Sequence, residues 1–195
     1  MQENDFTDAQ LILLFAHGRE DAFDELYRRH SPGIYRFLQR MLKSSHEAEE
    51  LLQETFYRVA KAAGRFEPGA AKVRTWIYRI ASNCCFSYLK GRKGCKILPF
   101  PSEELREERT PESDSSREEL NEALKEEVKA LPPALQAAFV LREMEGFAYD
   151  EGARILEIPL GTFKTHVHRA RSSLREKLLC LLRREGAMLS GRDGR

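Results

Sequence analysis

The stretch 147–179, FAYDEGARILEIPLGTFKTHVHRARSSLREKLL, decides the fold. It divides into a short helix over Tyr149–Leu156, a tight turn, and a long helix from about Leu160 to Arg184. On the second helix Phe163, Val167, Ala170, Leu174, Leu178 and Leu181 recur every three or four residues, the spacing of a buried helical stripe. Thr162, Thr165, His166 and Arg169 form a neighbouring polar stripe near its N-terminal end. Two helices joined by a short turn, the second one basic, describe a helix-turn-helix whose second helix enters a DNA major groove. There, short hydrogen-bonding side chains reach base edges while Lys and Arg hold phosphates, and the positive helix N-terminus favours a phosphate nearby. For this segment alone an ordinary amphipathic helix hairpin stays open as the plainer alternative.

Working outward, the remaining sequence is helical almost throughout. Thr7-Asp8-Ala9-Gln10 reads as a capping box opening a helix to about Ala16, closed by Gly18. Asp21 opens a second helix, expected to be interrupted or bent at Ser31-Pro32-Gly33. Ser44-Ser45-His46-Glu47 reads as another capping box, followed by Ala48, Leu52, Phe56, Val59 and Ala63 at helical spacing. The Glu67-Pro68-Gly69 turn leads to a fourth helix over roughly 71–92, with Val73, Ile77, Ile80 and Cys84 facing inward. After Gly94 the run KILPFPSEELREERTPESDSS carries three prolines, many acids and no apolar periodicity, so it is a linker. Ser115-Ser116-Arg117-Glu118 caps the next helix, to about Ala130; Leu131-Pro132-Pro133 breaks it, and another runs over about 134–145 before Gly146. The expectation is all-α: two small helical domains, an N-terminal bundle and a C-terminal helix-turn-helix domain, joined by an acidic flexible linker. Their bounds are 1–93, 94–117 for the linker, 118–184, and a loose tail over 185–195.

Charge supports two contact regions. The formal net charge of +1 hides a strong segregation. Residues 58–96 carry 10 basic groups and 1 acidic, and residues 160–184 carry 7 and 1, whereas 103–127 carry 4 basic and 11 acidic. Two nearly acid-free basic blocks around an acidic one fit a protein that touches a polyanion at two places. With 42% hydrophobic and 32% charged residues the chain is globular rather than disordered. No run approaches a membrane span, and MQENDFTDAQ lacks a basic-then-apolar signal, so the expected address is cytoplasmic.

Chemistry is less well provided. Cys84, Cys85, Cys95 and Cys180 form no CxxC pair and no Cys/His zinc set. Buried reduced thiols are the favoured reading of Cys84-Cys85, with a redox sensor as the alternative. Neither Cys84 nor the His166/His168 pair has a visible base and orienting partner, so no enzyme, metal or cofactor is expected.

Three motifs resemble the extracytoplasmic-function (ECF) subfamily of sigma-70-type RNA polymerase sigma factors. The run Gly161-Thr-Phe-Lys-Thr-His-Val-His-Arg-Ala-Arg171 resembles that family's promoter-binding helix, G-T-V-K-S-R-L-x-R-A-R. The resemblance implies that Thr162, Lys164, Thr165, His166, Arg169 and Arg171 read or clamp −35 duplex. Three departures stand out: His166 replaces an Arg, Gly152 replaces a branched apolar residue, and Glu157 replaces a turn Gly. A mid-helix Gly costs about 1 kcal/mol, and a left-handed backbone at Glu157 would cost roughly 1–2 kcal/mol. Val73-Arg-Thr-Trp-Ile-Tyr-Arg-Ile-Ala-Ser-Asn83, then Tyr88-Leu89-Lys90, resembles F-R-T-W-L-Y-R-I-A-x-N…Y-L. It implies capture of the melted −10 strand by Arg74, Trp76, Tyr78, Arg79, Asn83, Tyr88, Lys90, Arg92 and Lys93, since aromatics among cations suit unstacked bases. Residues 47–54, Glu-Ala-Glu-Glu-Leu-Leu-Gln-Glu, resemble the D-A-E-D-L-V-Q-E docking helix, which implies that Glu47, Glu49, Glu50, Gln53 and Glu54 meet core polymerase. On the residues alone, a solvated face with Glu54 paired to Arg58 is equally open. The implied partners are core RNA polymerase, promoter DNA as duplex and melted strand, and an anti-sigma factor. A stand-alone helix-turn-helix regulator with an N-terminal sensing lobe is the alternative.

Overall fold

In the computed structural model the structure describes residues 6–69, 71–91 and 124–190, with side chains described only to Cys180. The Arg92, Lys93 and Cys95 expectations, the linker and its following cap lie outside these residues. Among the described residues all regular structure is helical, and an isolated bridge joins Pro68 to Ala71. The first unit holds α1 (Asp8–Ala16), α2 (Glu20–Met41), α3 (Ser45–Ala62), a 3-10 turn (Ala63–Arg65) and α4 (Val73–Leu89). The second holds α5, helical over 124–129, then α6 (Pro133–Phe139), a π-helical turn (Val140–Met144), α7 (Tyr149–Leu156) and α8 (Leu160–Ser190).

The α1 start forms as its sequence demands: the Thr7 hydroxyl accepts from the Gln10 N–H at 3.3 Å, and Thr7 N–H donates to Gln10 Oε1 at 2.8 Å. Asp8 then ties α1 to α2 through His30 Nε2 at 2.8 Å and Arg29 Nη1 at 3.0 Å. The second expected capping box does not form. Ser44 is the N-cap of α3 without a side-chain hydrogen bond, and the Glu47 carboxylate accepts instead from the Tyr88 hydroxyl at 2.7 Å.

Helix α2 runs unbroken through Ser31-Pro32-Gly33, where a break or bend was expected. Packing explains why. An interior proline costs about 3 kcal/mol, yet Leu26, Ile34, Phe37 and Leu38 on the two sides of it are wholly buried, each contributing about 1.5–3 kcal/mol. Gly33 serves a neighbour rather than a turn. A Cβ there would lie 2.9 Å from the Tyr78 hydroxyl, so its absence admits the Tyr78 ring against α2.

Helix α4 is enclosed on more than the expected side. Val73, Ile77 and Cys84 are buried as read, Ile80 is only half-buried, and Thr75, Tyr78, Ser82 and Cys85 are buried as well. The reason is that α4 touches α3, α2 and, from the second unit, α7. Within the second unit α8 packs on α6 and α7, and a single apolar cluster extends through both units. Helix α8 continues to Ser190, past the expected end near Arg184 and into the segment read as a loose tail.

Candidate nucleic-acid interface

The helix-turn-helix is built by α7, the turn Glu157-Ile158-Pro159 and the first turns of α8. Ala148 N–H donates to Glu151 Oε2 at 3.1 Å, fixing the start of α7. Glu157 adopts the left-handed conformation, φ 54° and ψ 41°, as the single non-glycine residue of positive φ among those described. Ile158 N–H then reaches back to the Ala153 carbonyl at 3.1 Å and closes the helix end. Phe163, Val167, Ala170 and Leu174 are buried as expected, Leu178 is half-buried, and the Leu181 side chain lies outside the described residues.

Gly152 is where the packing differs from the reading. Instead of leaving a gap, it lies under the Phe163 ring, at the position where the related motif has valine. Phe163 also meets Tyr149 edge to face, centroids 6.2 Å apart. The small residue on one helix and the large one on the other compensate each other.

At 100° per residue, the outer surface of α8 has two flanks. Thr162, His166 and Arg169 lie along one, Lys164 and Arg171 along the other, with Thr165 between them. Lys164, Thr165 and Arg169 are exposed, Thr162 and His166 half-buried. The Thr165 hydroxyl donates to the Gly161 carbonyl at 2.9 Å, so it reaches a base only by rotating away. The His166 Nδ1 is buried with no partner among the described residues, which leaves Nε2 as the ring atom able to meet DNA. Arg171 is committed to Glu143 at 2.6 Å, which raises its guanidinium pKa. Sequence reasoning missed His168 and Tyr149, which line an open groove with Lys164, Thr165 and Arg171. The i,i+4 spacing of Lys164 and His168 was the available signal.

The residues read on α4 separate into three groups. Asn83, Tyr88 and Lys90 are exposed. Trp76 and Arg79 line a cleft of about 750 Å³ between α4 and α7, with Trp76 half-buried against Phe66, ring centroids 5.2 Å apart. Arg74 and Tyr78 are taken up by the second unit. Tyr78, 2% exposed, is not an outward base-stacking ring: its hydroxyl donates to Glu145 Oε2 at 2.7 Å, and its ring meets Phe147 at 4.8 Å. Burial and the adjacent Glu145 carboxylate push the Tyr78 pKa up. Arg74 donates to the Glu145 carbonyl at 2.7 Å and lies 4.1 Å from the Phe147 ring centroid.

Glu145 is the centre of this seam. Its side chain is 5% exposed, yet it bears a carboxylate, so burial is tolerated only with partners. Those come from the first unit: Arg40, the Tyr78 hydroxyl, and Arg74 at 3.8 Å. Around it Gln136 Nε2 donates to the Arg40 carbonyl at 2.6 Å, Lys72 pairs with Glu151 at 3.0 Å, and Arg79 pairs with Glu157. Arg74 and Arg79, the cations of α4 read as following a DNA strand, therefore face carboxylates in the turns on either side of α7.

The acidic residues at the start of α3 are also unequal. Glu49 is exposed; Glu50, Gln53 and Glu47 are half-buried, with Glu47 held by Tyr88. Glu54 is buried and paired with Arg58, the arrangement the residues alone left open against docking. Cys84 and Cys85 are buried and in no disulfide, and burial pushes the Cys85 thiol up to about 12, far from a reactive thiolate. Among the described residues no cluster of three or more ligand-type side chains could hold a metal ion, and no helix is long and apolar enough to cross a membrane.

Comparisons with known proteins cover both units. Residues 26–94 match the family described as Sigma-70 region 2, and residues 121–174 the family described as Sigma-70, region 4. Over 160 residues the chain is 33% identical to the ECF RNA polymerase sigma factor SigE of Mycolicibacterium smegmatis, covering 80% of this chain and 62% of that protein. It is 30% identical over 186 residues to the RNA polymerase sigma-H factor of Pseudomonas aeruginosa, covering 90% of this chain and 96% of that one. In fold it is similar to the sigma factor RpoE of Bartonella quintana, solved in complex with the anti-sigma factor NepR, with a TM-score of 0.61, 24% identity, and 80% and 96% of the two chains covered.

Proposed function

The chain belongs to the ECF subfamily of sigma-70-type RNA polymerase sigma factors, and on that premise we propose that it binds core RNA polymerase and directs promoter-specific initiation. The observation that carries this reading is the presence of both sigma regions, in order. The exposed side chains of Lys164, Thr165 and Arg169, with His166 Nε2, read and clamp −35 duplex from the N-terminal turns of α8. The face of α4 bearing Asn83 and Lys90, with Trp76 and Arg79 beside it, captures the melted −10 strand, with Arg92 and Lys93, outside the described residues, as further candidates. Glu47, Glu49, Glu50 and Gln53 dock on polymerase, whereas Glu54 supports α3 from within. The work is binding rather than turnover, carried out in the cytoplasm, and an anti-sigma factor is the expected negative regulator.

Strand capture requires the seam to open. With Glu145 inserted, Arg74 and Tyr78 face protein, and Arg79 faces Glu157. The described arrangement is therefore the closed form, and polymerase binding separates the units so that −35 and −10 surfaces engage together.

Run-off transcription with purified core polymerase on a candidate promoter is the test. Initiation that depends on this chain is expected. An alanine series divides the labour: Lys164→Ala and Arg169→Ala weaken −35 duplex binding, whereas Asn83→Ala and Lys90→Ala are rescued by a pre-melted template. Duplex binding by the chain alone, with core association but no initiation, would favour the stand-alone regulator instead.

A further inference from the structure

Lys164, His168 and Arg171 fall within about 60° of one another around α8. All three are exposed, and with Tyr149 and Thr165 they line one open groove. The stripe ends against the π-helical turn, where Arg171 Nη2 donates to Glu143 Oε1 at 2.6 Å. Tyr149 stands beside the same guanidinium. Glu143 thus reaches the groove from the segment before α7, not from α8 itself.

The pair is built to exchange. Its side chains keep 51% and 30% of their surface exposed, and exposed ion pairs of this kind stabilise little. A phosphodiester offers a guanidinium two oxygens at once, which its planar fork can take together. Arg171 also stands two turns beyond Lys164 on the same flank, so the two cations face one side of a duplex laid along that flank. In the free chain the Glu143 carboxylate holds the place that a phosphate would need. Left beside a docked backbone, it would repel it.

We propose that Glu143 occupies Arg171 in place of a backbone phosphate of −35 duplex, and that docking passes Arg171 from the carboxylate to the phosphate. The inference rests on the assignment of α8 to −35 duplex. Glu143 is then a positioning residue that touches no base. It keeps the Arg171 fork at the groove and lowers the affinity of the free chain for DNA.

Fluorescence anisotropy of the full chain with a short duplex carrying a candidate −35 element, titrated at several low salt concentrations, tests it. Glu143→Gln is expected to tighten binding about threefold. Glu143→Gln with Arg171→Gln should bind no more tightly than Arg171→Gln alone, because the gain runs through Arg171. In the Glu143→Gln chain, adding Arg171→Gln should also make the slope of log K against log salt shallower by about 0.9, the loss of one phosphate contact. Glu176→Gln removes the same charge from another exposed position of α8 and should leave the affinity as in wild type. A gain that persists undiminished without Arg171, or that Glu176→Gln reproduces, would mean general repulsion and overturn the inference. An unchanged salt slope would overturn it too. If no form of the chain binds the duplex, the −35 assignment itself falls, and the inference with it.

Discussion

The Phe163 ring fills the space that a side chain on Gly152 would need: a Cβ at position 152 would overlap Phe163 Cζ. Helix propensity favours alanine over glycine by about 1 kcal/mol, but overpacking of this kind costs typically 1–3 kcal/mol. Gly152→Ala is therefore expected to destabilise the chain, and Gly152→Ala with Phe163→Val to recover most of the loss. Urea unfolding of the four-member cycle checks it; additive effects would mean that the two positions do not share one space.

Glu157 holds a left-handed backbone that costs roughly 1–2 kcal/mol for a residue with a side chain. Glycine relieves it, offset by about 0.4–1 kcal/mol through the freer unfolded chain. The exposed pair with Arg79 is worth little. Glu157→Gly should raise Tm by a few degrees in calorimetry. A lower Tm would mean that the Arg79 contact outweighs the strain.

Removing one partner of a fully buried ion pair costs about 3–5 kcal/mol; here the Arg40 and Arg74 side chains stay 33% and 44% exposed, so water compensates them in part and the cost is smaller. Glu145→Gln leaves Arg40 and Arg74 facing a neutral amide across the seam. The expected result is a larger radius of gyration in scattering and tighter binding of a single-stranded −10 oligonucleotide by the free chain. Unchanged compaction with unchanged strand binding would show that Glu145 does not keep the units closed.

Glu25 accepts from Arg28 and Arg29, at 2.7 and 2.6 Å, and these hydrogen bonds hold its pKa at about 2, below the ordinary 4.5. A carboxylate with a depressed folded value stabilises above its unfolded value, and that contribution is lost as pH falls through the folded one. Asp8, lowered chiefly by its hydrogen bond to His30, acts in the same direction. The urea midpoint should thus decline as pH falls from 4.5 toward about 2, and Glu25→Gln should flatten that decline. An unchanged slope would assign acid sensitivity to other groups.

Local signals in the sequence were reliable where their partners were local. The Thr7 capping box, the α7 bounds and the stripe of α8 as far as Leu174 depend on residues within a few positions, and they form as read. The Ser44 box failed because a distant hydroxyl, Tyr88, took the Glu47 carboxylate. Gly33 looked like a turn and proved to be room for Tyr78, which lies 45 positions further along the chain. The seam was least legible. Glu145 reads as one more charged residue near a helix end, and its partners Arg40, Arg74 and Tyr78 are spread over the other unit. Sequence motifs singled out residues of α4, but not that part of that face would be covered.

The π-helical turn at Val140–Met144 stands directly before Glu145. Such a turn carries one residue more than the α-helical winding it replaces, and each residue advances the helix by about 100°. A residue gained or lost there is absorbed by forming or losing the wide winding, so the seam carboxylate keeps its place opposite Arg40 and Tyr78, whereas the same change in the ordinary winding of α6 would turn it about a quarter-turn away.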